Sequence, residues 1–322
     1  IMKAVILAGG NATRLWTITK NRAKPLLPLA GKPIIDYIVE ELDEFEEVII
    51  STNQKFADDF QDYIDRKGLD NIRVVVENQG SEEEKPGTIG AIINILDQED
   101  IEDDLLIIGG DNYYSFDIKE FIEFSKEKES PTNVVYDLNE KGMASNFGIV
   151  DSDGTKIVGF EEKPEEPPST LVSTACYFYP KDELDLFEDY EKHFREETDI
   201  PEDQFLDEPG RLIEWAHKQT EMHAFKFTGE WHDIGTPQGY IEAHKAVSNE
   251  KIVKGESKDS EINDNVFLME GSKVKNSKLE NVIVFHDTEI INCEIRNSII
   301  DNNCKIEDAD LNDAIIGEHT SM

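Results

Sequence analysis

The chain is predicted to combine an α/β domain on a doubly wound, mostly parallel sheet, residues 1–250, with a short left-handed parallel β-helix, residues 256–322. Short β-rich runs alternate with stretches of helical spacing through the first half, the signature of βαβ units around a parallel sheet. A glycine turn follows the first strand directly, where such sheets bind ligands. The tail, from Val274, falls into sixteen-residue rows with aligned apolar columns, and a repeat decides architecture.

The strands expected in the first half are Ala4 to Leu7, Glu47 to Ser51, Arg73 to Val76 and Leu105 to Ile108. Helical spacing lies between them at Ile34 to Leu42, Phe56 to Lys67 and Ile89 to Leu96. From Asn133 the pattern turns antiparallel, with strands at Val134 to Leu138, Phe147 to Asp151, Lys156 to Glu161 and Thr174 to Tyr179, and a turn at Asp153-Gly154. Helical patterns follow at Leu184 to Glu196 and Gln204 to Lys218. His223 to Phe227 then leads to Trp231-His232-Asp233-Ile234-Gly235-Thr236-Pro237 and a helix through Val247. In the tail the columns are Val274, Ile290 and Ile306; Leu279, Ile295 and Leu311; and Val284, Ile300 and Ile316. Their steps of five, five and six leave two sides one residue shorter than a hexapeptide coil, and Ser257 to Lys273 fits as an earlier row with one extra residue.

Charge excludes some partners. The net charge is −38, from 70 acidic against 32 basic residues, spread along the whole chain. A surface of that sign repels nucleic acid and anionic lipid. It predicts a protein of a high-salt cytoplasm, where screening removes self-repulsion. No run of about 20 apolar residues suited to crossing a bilayer is present, and entry into a strand at the N-terminus predicts no signal peptide. Cys176, Cys293 and Cys304 have neither disulfide nor zinc spacing and read as small buried residues.

The opening strand delivers Leu7-Ala8-Gly9-Gly10-Asn11-Ala12-Thr13-Arg14-Leu15, and Lys24-Pro25-Leu26-Leu27-Pro28 follows. Backbone N–H groups of a small-residue loop can approach anionic oxygens closely, and Arg14 and Lys24 add positive charge. Neither G-x-G-x-x-G nor G-x-x-x-x-G-K-[ST] is present, so a dinucleotide fold and a P-loop are both unsupported. The segment instead resembles the signature of sugar-1-phosphate nucleotidyltransferases, the pyrophosphorylases that make nucleotide sugars. Their pattern is L-A-G-G-x-G-T-R-L and then K-P-[LM]-[LVI]-P, and the one departure is Ala12 in place of glycine. If that position needs positive φ, alanine costs of order 1 kcal/mol.

The resemblance covers residues 2 to about 247 through five separated motifs and implies a nucleotide-diphospho-sugar transferase fold, Rossmann-like. It also implies an enzyme that joins an NTP, UTP or dTTP, to a sugar-1-phosphate such as glucose-1-phosphate and expels pyrophosphate. Such chemistry asks for carboxylates to hold Mg²⁺ and cations to hold phosphates, not for a nucleophile. By resemblance Asp111, in Gly109-Gly110-Asp111-Asn112, and Asp233 are the metal ligands. The same resemblance implies Arg14, Lys24 and Lys163 as the catalytic cations. It further implies Leu7, Ala8, Gly9, Gly10, Gln79, Gly87 and Thr88 as nucleotide-binding and Gly148, Glu162, Lys163 and Thr174 as binding the sugar phosphate.

Two alternatives stay open for the base. Gln79 can donate and accept, as a uracil or thymine edge requires. Glu77 can instead take the equivalent place and would favour purine N–H groups such as those of guanine, as a GTP-using mannose-1-phosphate guanylyltransferase would need. Two other classes of function compete with the first reading. One is a catalytically silent regulatory or assembly subunit, which the presence of Lys24, Asp111 and Asp233 disfavours. The other adds an acyltransferase in the tail with His286 or His319 as base, although a lone loop histidine is more often solvated. The tail is assigned to homo-oligomerisation or regulation, so that truncation after about Lys251 is expected to change assembly before chemistry.

Overall fold

A computed structural model describes residues 2–77, 86–248 and 251–322. The chain divides into two compact units. Neither unit is continuous in sequence. The first comprises residues 1–9, 38–110 and 115–231, and the second comprises residues 10–37, 111–114 and 232–322.

The first unit is built on one nine-stranded sheet. In spatial order its strands are Ile72–Val76, Glu47–Thr52, Met2–Leu7, Asp104–Gly109, Leu171–Tyr179, Thr132–Asp137, His223–Phe227, Lys156–Glu162 and Gly148–Asp153. The first four are mutually parallel and run 3-2-1-4 in chain order, a doubly wound half-sheet. The inner ones, buried on both faces, read as apolar runs such as Leu105-Leu106-Ile107-Ile108, whereas the edge strand Ile72–Val76 is half-buried and carries Arg73. The antiparallel strands expected after Asn133 are present, and Gly148–Asp153 and Lys156–Glu162 form a hairpin with Gly154 at φ 61°.

One face of the sheet packs on helices Gly87–Glu99, Asp185–Glu197 and Pro209–Ala216 through Ile89, Ile92, Phe187, Tyr190, Leu212 and Ile213. A helix at Ile118–Lys128, unanticipated from the sequence, is capped by Asp117, whose carboxylate accepts from Lys119 N at 2.7 Å. The helix expected over Ile34 to Leu42 shrinks to Asp36–Val39. Glu40, Glu41 and Asp43 follow it with no basic residue, the wrong charge for a helix C-terminus.

The C-terminal rows form parallel rungs, and the column pairs hold in register: Val274 on Ile290 on Ile306, Leu279 on Ile295 on Leu311, and Val284 on Ile300 on Ile316. The earlier row has its extra residue, since Ser257 pairs with Val274 and Ile262 with Leu279. The steps of five, five and six have a physical account. Each corner is turned by a single residue in the left-handed region: Asn276, Asn292 and Asp308; Asn281, Asn297 and Asp313; Asp287, Asn303 and His319. Asn and Asp tolerate that conformation better than other residues with a side chain. Stacked corner side chains bond to one another, Asn276 to Asn292 at 2.8 Å and Asn281 to Asn297 at 3.0 Å. All three cysteines are free and buried.

This β-helix is not a detached object. Its third side carries apolar residues on both faces. Val266, Leu268, Val282, Val284 and Ile300 point into the coil. The intervening Phe267, Ile283 and Ile299 join Leu15, Ile18, Leu27, Leu29 and Ile34 of the N-terminal loop and Tyr240 and Ile241 of helix Pro237–Ser248 in one buried cluster. That is why residues 10–37 belong to the second unit rather than the first, and why the compact units cut the chain differently from a boundary near residue 250. Within the second unit the tail thus covers the loop that carries Arg14 and Lys24.

Candidate functional site

The predicted residues fall into two sets, one in each unit. In the second unit, Arg14 and Lys24 lie on the N-terminal loop, and Asp111 and Asp233 end adjacent strands. Asn112–Tyr114 pairs with the strand that finishes at Asp233, and Ile234 N donates to Asp111 O at 3.3 Å. Lys24 opens a short 3₁₀ turn, Lys24–Leu26, whose Pro25 fixes the backbone. Its side chain is only 8 % exposed as a residue, and Nζ meets Asp111 Oδ2 at 2.6 Å. Asn112 Nδ2 donates to the other Asp111 oxygen at 2.8 Å. Arg14 closes on the same place: a Cβ added at Gly235 would lie 3.1 Å from Arg14 Nη2 and 3.4 Å from either carboxylate oxygen of Asp233.

Electrostatics ties the four together. Desolvation by surrounding protein is the main cause that pushes the Asp233 carboxyl above its ordinary pKa, and the negative Asp111 adds to it. Lys24 and Arg14 oppose that shift. Asp233 still reaches solvent, so the carboxylate is crowded without being closed off from a ligand.

Among the described residues no group of three or more His, Cys, Asp or Glu side chains is arranged to hold a metal ion. Two neighbouring carboxylates beside two cations suit a hard divalent cation that brings its remaining oxygen ligands with it, as Mg²⁺ does when bound to phosphates. The donor set fits a divalent cation that completes its coordination with phosphate oxygens.

The loop itself is strained at one residue. Ala12 adopts φ 45° and ψ 47°, the left-handed conformation that the glycine of the family pattern would take at less cost. Leu15 N and the Thr19 hydroxyl both donate to Ala12 O, at 3.0 and 2.9 Å, and hold it there.

In the first unit, Leu7 ends the first strand and Ala8 and Gly9 follow it. Gly10 begins the second unit. Ala8 N donates to Ser51 O at 2.7 Å, and Asn53 Nδ2 donates to Gly9 O at 2.9 Å. A Cβ at Gly9 would collide with the carboxylate of Glu77, which is buried and accepts from Ser51 Oγ at 2.9 Å. Burial raises the Glu77 pKa, with Ser51 opposing. Gln79 lies outside the described residues. Gly87, at φ 72°, and Thr88 open helix Gly87–Glu99. The next two amides, Ile89 N and Gly90 N, donate to Leu206 O at 2.7 and 3.2 Å.

The sugar-directed residues sit at the end of the hairpin. Gly148 pairs with Glu162, and Lys163 N donates to Phe147 O at 3.1 Å. Lys163 takes φ 46°, far from the extended backbone usual before proline, and its ammonium lies 3.6 Å from Glu162 Oε1. Burial is the main cause that raises the Glu162 pKa, partly offset by Lys163. A Cβ at Gly148 or at Gly210 would run into Phe160 and Glu162. Gly210 and its neighbour Arg211, which pairs with Glu208, were not anticipated; an isolated Pro-Gly-Arg at a helix start carries no motif. Thr174 is placed otherwise than expected: it is fully buried and its hydroxyl donates to Val134 O at 2.8 Å, inside the sheet.

Residues 3–250 match the family model described as nucleotidyl transferase. Among curated proteins the chain is 29 % identical over 254 residues to a bifunctional protein GlmU of Methanocaldococcus jannaschii, covering 76 % of this chain and 54 % of that one. A second GlmU, of Methanococcus maripaludis, is 30 % identical over 280 residues, covering 85 % and 62 %. A candidate mannose-1-phosphate guanyltransferase of Sulfolobus acidocaldarius is 28 % identical over 292 residues, covering 86 % and 75 %. The chain thus spans little more than half the length of the GlmU proteins it matches. A crystal structure of a candidate glucose-1-phosphate thymidylyltransferase from Bacillus anthracis, in complex with sucrose, superposes with a TM-score of 0.65 at 25 % identity, covering 77 % of this chain and 96 % of that one. With the family model spanning three quarters of its length and the motif residues on one fold, the chain belongs to the nucleotidyl transferase family.

Proposed function

We propose that this protein transfers a nucleotidyl group from an NTP to a sugar-1-phosphate, giving a nucleotide sugar and pyrophosphate. The observation that carries the reading is the convergence of Arg14, Lys24, Asp111 and Asp233, from four separated sequence positions, on one spot of the second unit. Asp111 and Asp233 would hold Mg²⁺, which supplies charge neutralisation and alignment at the triphosphate. Lys24 and Arg14 offset the charge that gathers on the departing pyrophosphate. On the first unit, Glu162 receives sugar hydroxyls and Lys163 binds the acceptor's phosphate, with Gly148 leaving room beside them. Lys24 Nζ lies 2.6 Å from Asp111 Oδ2, so cation and carboxylate are already adjacent where the triphosphate would bind.

For the substrates we propose UTP or dTTP with glucose-1-phosphate, a reading supported by the thymidylyltransferase likeness. A second reading is favoured by Glu77. A carboxylate only accepts hydrogen bonds, which suits the adjacent N1–H and N2–H₂ of guanine and not the single N–H of uracil. Pyrophosphate release across UTP, dTTP, GTP and ATP with glucose-, mannose- and glucosamine-1-phosphate tests both. Turnover with GTP and mannose-1-phosphate alone would overturn the pyrimidine reading, and no turnover with any pair would overturn the activity. If Glu77 reads guanine, Glu77→Gln lowers kcat/KM for GTP at least tenfold while leaving the other nucleotides within about twofold.

We also propose a high-salt cytoplasm as the setting, on the net charge of −38. No helix among the described residues is long and apolar enough to cross a membrane. The melting temperature is expected to rise by more than 10 °C between 0.1 and 2 M KCl as repulsion is screened; an unchanged value would remove the salt argument. Homo-oligomer formation remains assigned to the β-helix, through faces other than the third side, whose outer apolar residues are already covered within the chain.

A further inference from the structure

One column of the β-helix breaks the repeat at the place where the catalytic loop rests. Met269, Phe285, Asp301 and Gly317 follow one another at sixteen-residue spacing just beyond the third side, and their amides join the ladder in register, Phe285 N to Ile300 O and Asp301 N to Ile316 O. Each touches or faces residues 10–37. Met269 and Phe285 belong to the cluster that buries Leu15, Ile18 and Leu27. The Arg22 guanidinium lies over the Phe285 ring, 5.4 Å from its centre. Both Nη1 and Nη2 of Arg22 donate to Asp301 Oδ1 at 3.3 Å. Gly317 has no side chain because a Cβ there would press on Thr17, 2.8 Å from its Oγ1.

Asp301 is the anomaly. It is 2 % exposed, follows the buried Ile299-Ile300 and comes after Met269 and Phe285 in its column, and the family chemistry gives it no task. A buried carboxylate is costly unless paired. Among the described residues its Oδ1 accepts from Arg22 and from the amide of Asn302, the latter at 2.7 Å. Arg22 in turn is two residues from Lys24, across buried Ala23. The loop is also held beyond Lys24, where His244 Nε2–H donates to Pro28 O at 2.9 Å and Nδ1 accepts from Ala30 N at 3.2 Å. Lys24 thus sits on a short span clamped at both ends, on one side by helix Pro237–Ser248 and on the other by Asp301.

We propose that Asp301 is a positioning residue for Lys24: by anchoring Arg22 it fixes the turn from which Lys24 reaches Asp111. The energy of an otherwise unfavourable buried charge is then exchanged for placement of the ammonium, and placement matters because small errors in alignment reduce rate steeply. The inference rests on the nucleotidyl-transfer reading for its kinetic consequence only.

The experiment uses the full chain and two variants that cut the link from opposite sides, Asp301→Asn and Arg22→Met. Amide hydrogen exchange is followed by mass spectrometry on peptides covering 19–30, 279–284 and 295–300. Both variants are expected to speed exchange in the 19–30 peptide at least tenfold, with the β-helix peptides within twofold of the parent. Protection of the melting temperature by inorganic pyrophosphate with Mg²⁺, the probe for the phosphate-binding set, should fall in both. In the transfer assay kcat should drop at least fivefold, with KM for the sugar-1-phosphate unchanged, and Arg22→Lys should recover most of it. Unchanged exchange in 19–30 in both variants would overturn the proposal. So would acceleration in the β-helix peptides in Asp301→Asn that Arg22→Met does not reproduce, since that pattern marks a residue serving only its own coil. A parent protein without transfer activity leaves the exchange readout to decide alone, so failure of the enzymatic reading is told apart from failure of this one.

Discussion

Deleting residues 251–322 removes both cooperative melting and nucleotidyl transfer. Leu15, Ile18, Leu27, Leu29 and Ile34 are at most 1 % exposed, and their cover includes Phe267, Met269, Ile283, Phe285 and Ile299. Burial of each such side chain contributes about 1.5–3 kcal/mol. Losing even half of that for five residues costs about 4–8 kcal/mol, as much as the whole stability of a domain at the lower end of the usual range of about 5–15 kcal/mol. Residues 10–37 would have no fold of their own, and Arg14 and Lys24 ride on them. Calorimetry and pyrophosphate release on the truncated chain check this. A truncated chain that melts as sharply as the parent and keeps its kcat would show that the tail is a separate module.

Replacing Lys24 with alanine lowers kcat by about a hundredfold or more with little change in melting temperature. One preorganised charge in a closed site is worth roughly 3–4 kcal/mol of transition-state stabilisation. Here the ammonium also faces two carboxylates, and its removal leaves Asp111 and Asp233 balanced by Arg14 alone. Lys24→Arg should not restore the rate, because a planar fork cannot take the place of a point charge at 2.6 Å from Asp111 Oδ2. Steady-state kcat and KM for both substrates provide the test; a KM effect with kcat preserved would make Lys24 a binding residue only.

Much of this was legible in the chain because the relevant signals are local. Apolar runs of three to five residues mark the parallel strands, and the Gly-Gly turn and Lys-Pro pair mark the loop. The column pattern of the tail set the rungs down to the row with one extra residue. What escaped is non-local. Side three of the β-helix reads Val266-Phe267-Leu268-Met269, then Val282-Ile283-Val284-Phe285, without the alternation seen in Lys273-Val274-Lys275. That missing alternation was the sequence's only sign that a second face is buried, and it does not say against what. Corner residues stand in the sequence as Asn, Asp and one His at fixed intervals, but those residue types are common in ordinary loops and do not by themselves mark a corner. Thr174 matched a motif position while its hydroxyl belongs to the sheet, which strand pairing alone reveals. Glu77 is defined by contact with Gly9 and Ser51, residues far apart in sequence.

The most direct test of the account is pyrophosphate release from an accepted NTP and Mg²⁺, measured with and without sugar-1-phosphate, for the parent and for Asp111→Asn. The account predicts release that requires the sugar phosphate and falls more than a hundredfold in the variant while its melting temperature stays within a few degrees. Release independent of sugar phosphate, or undiminished in Asp111→Asn, would contradict it.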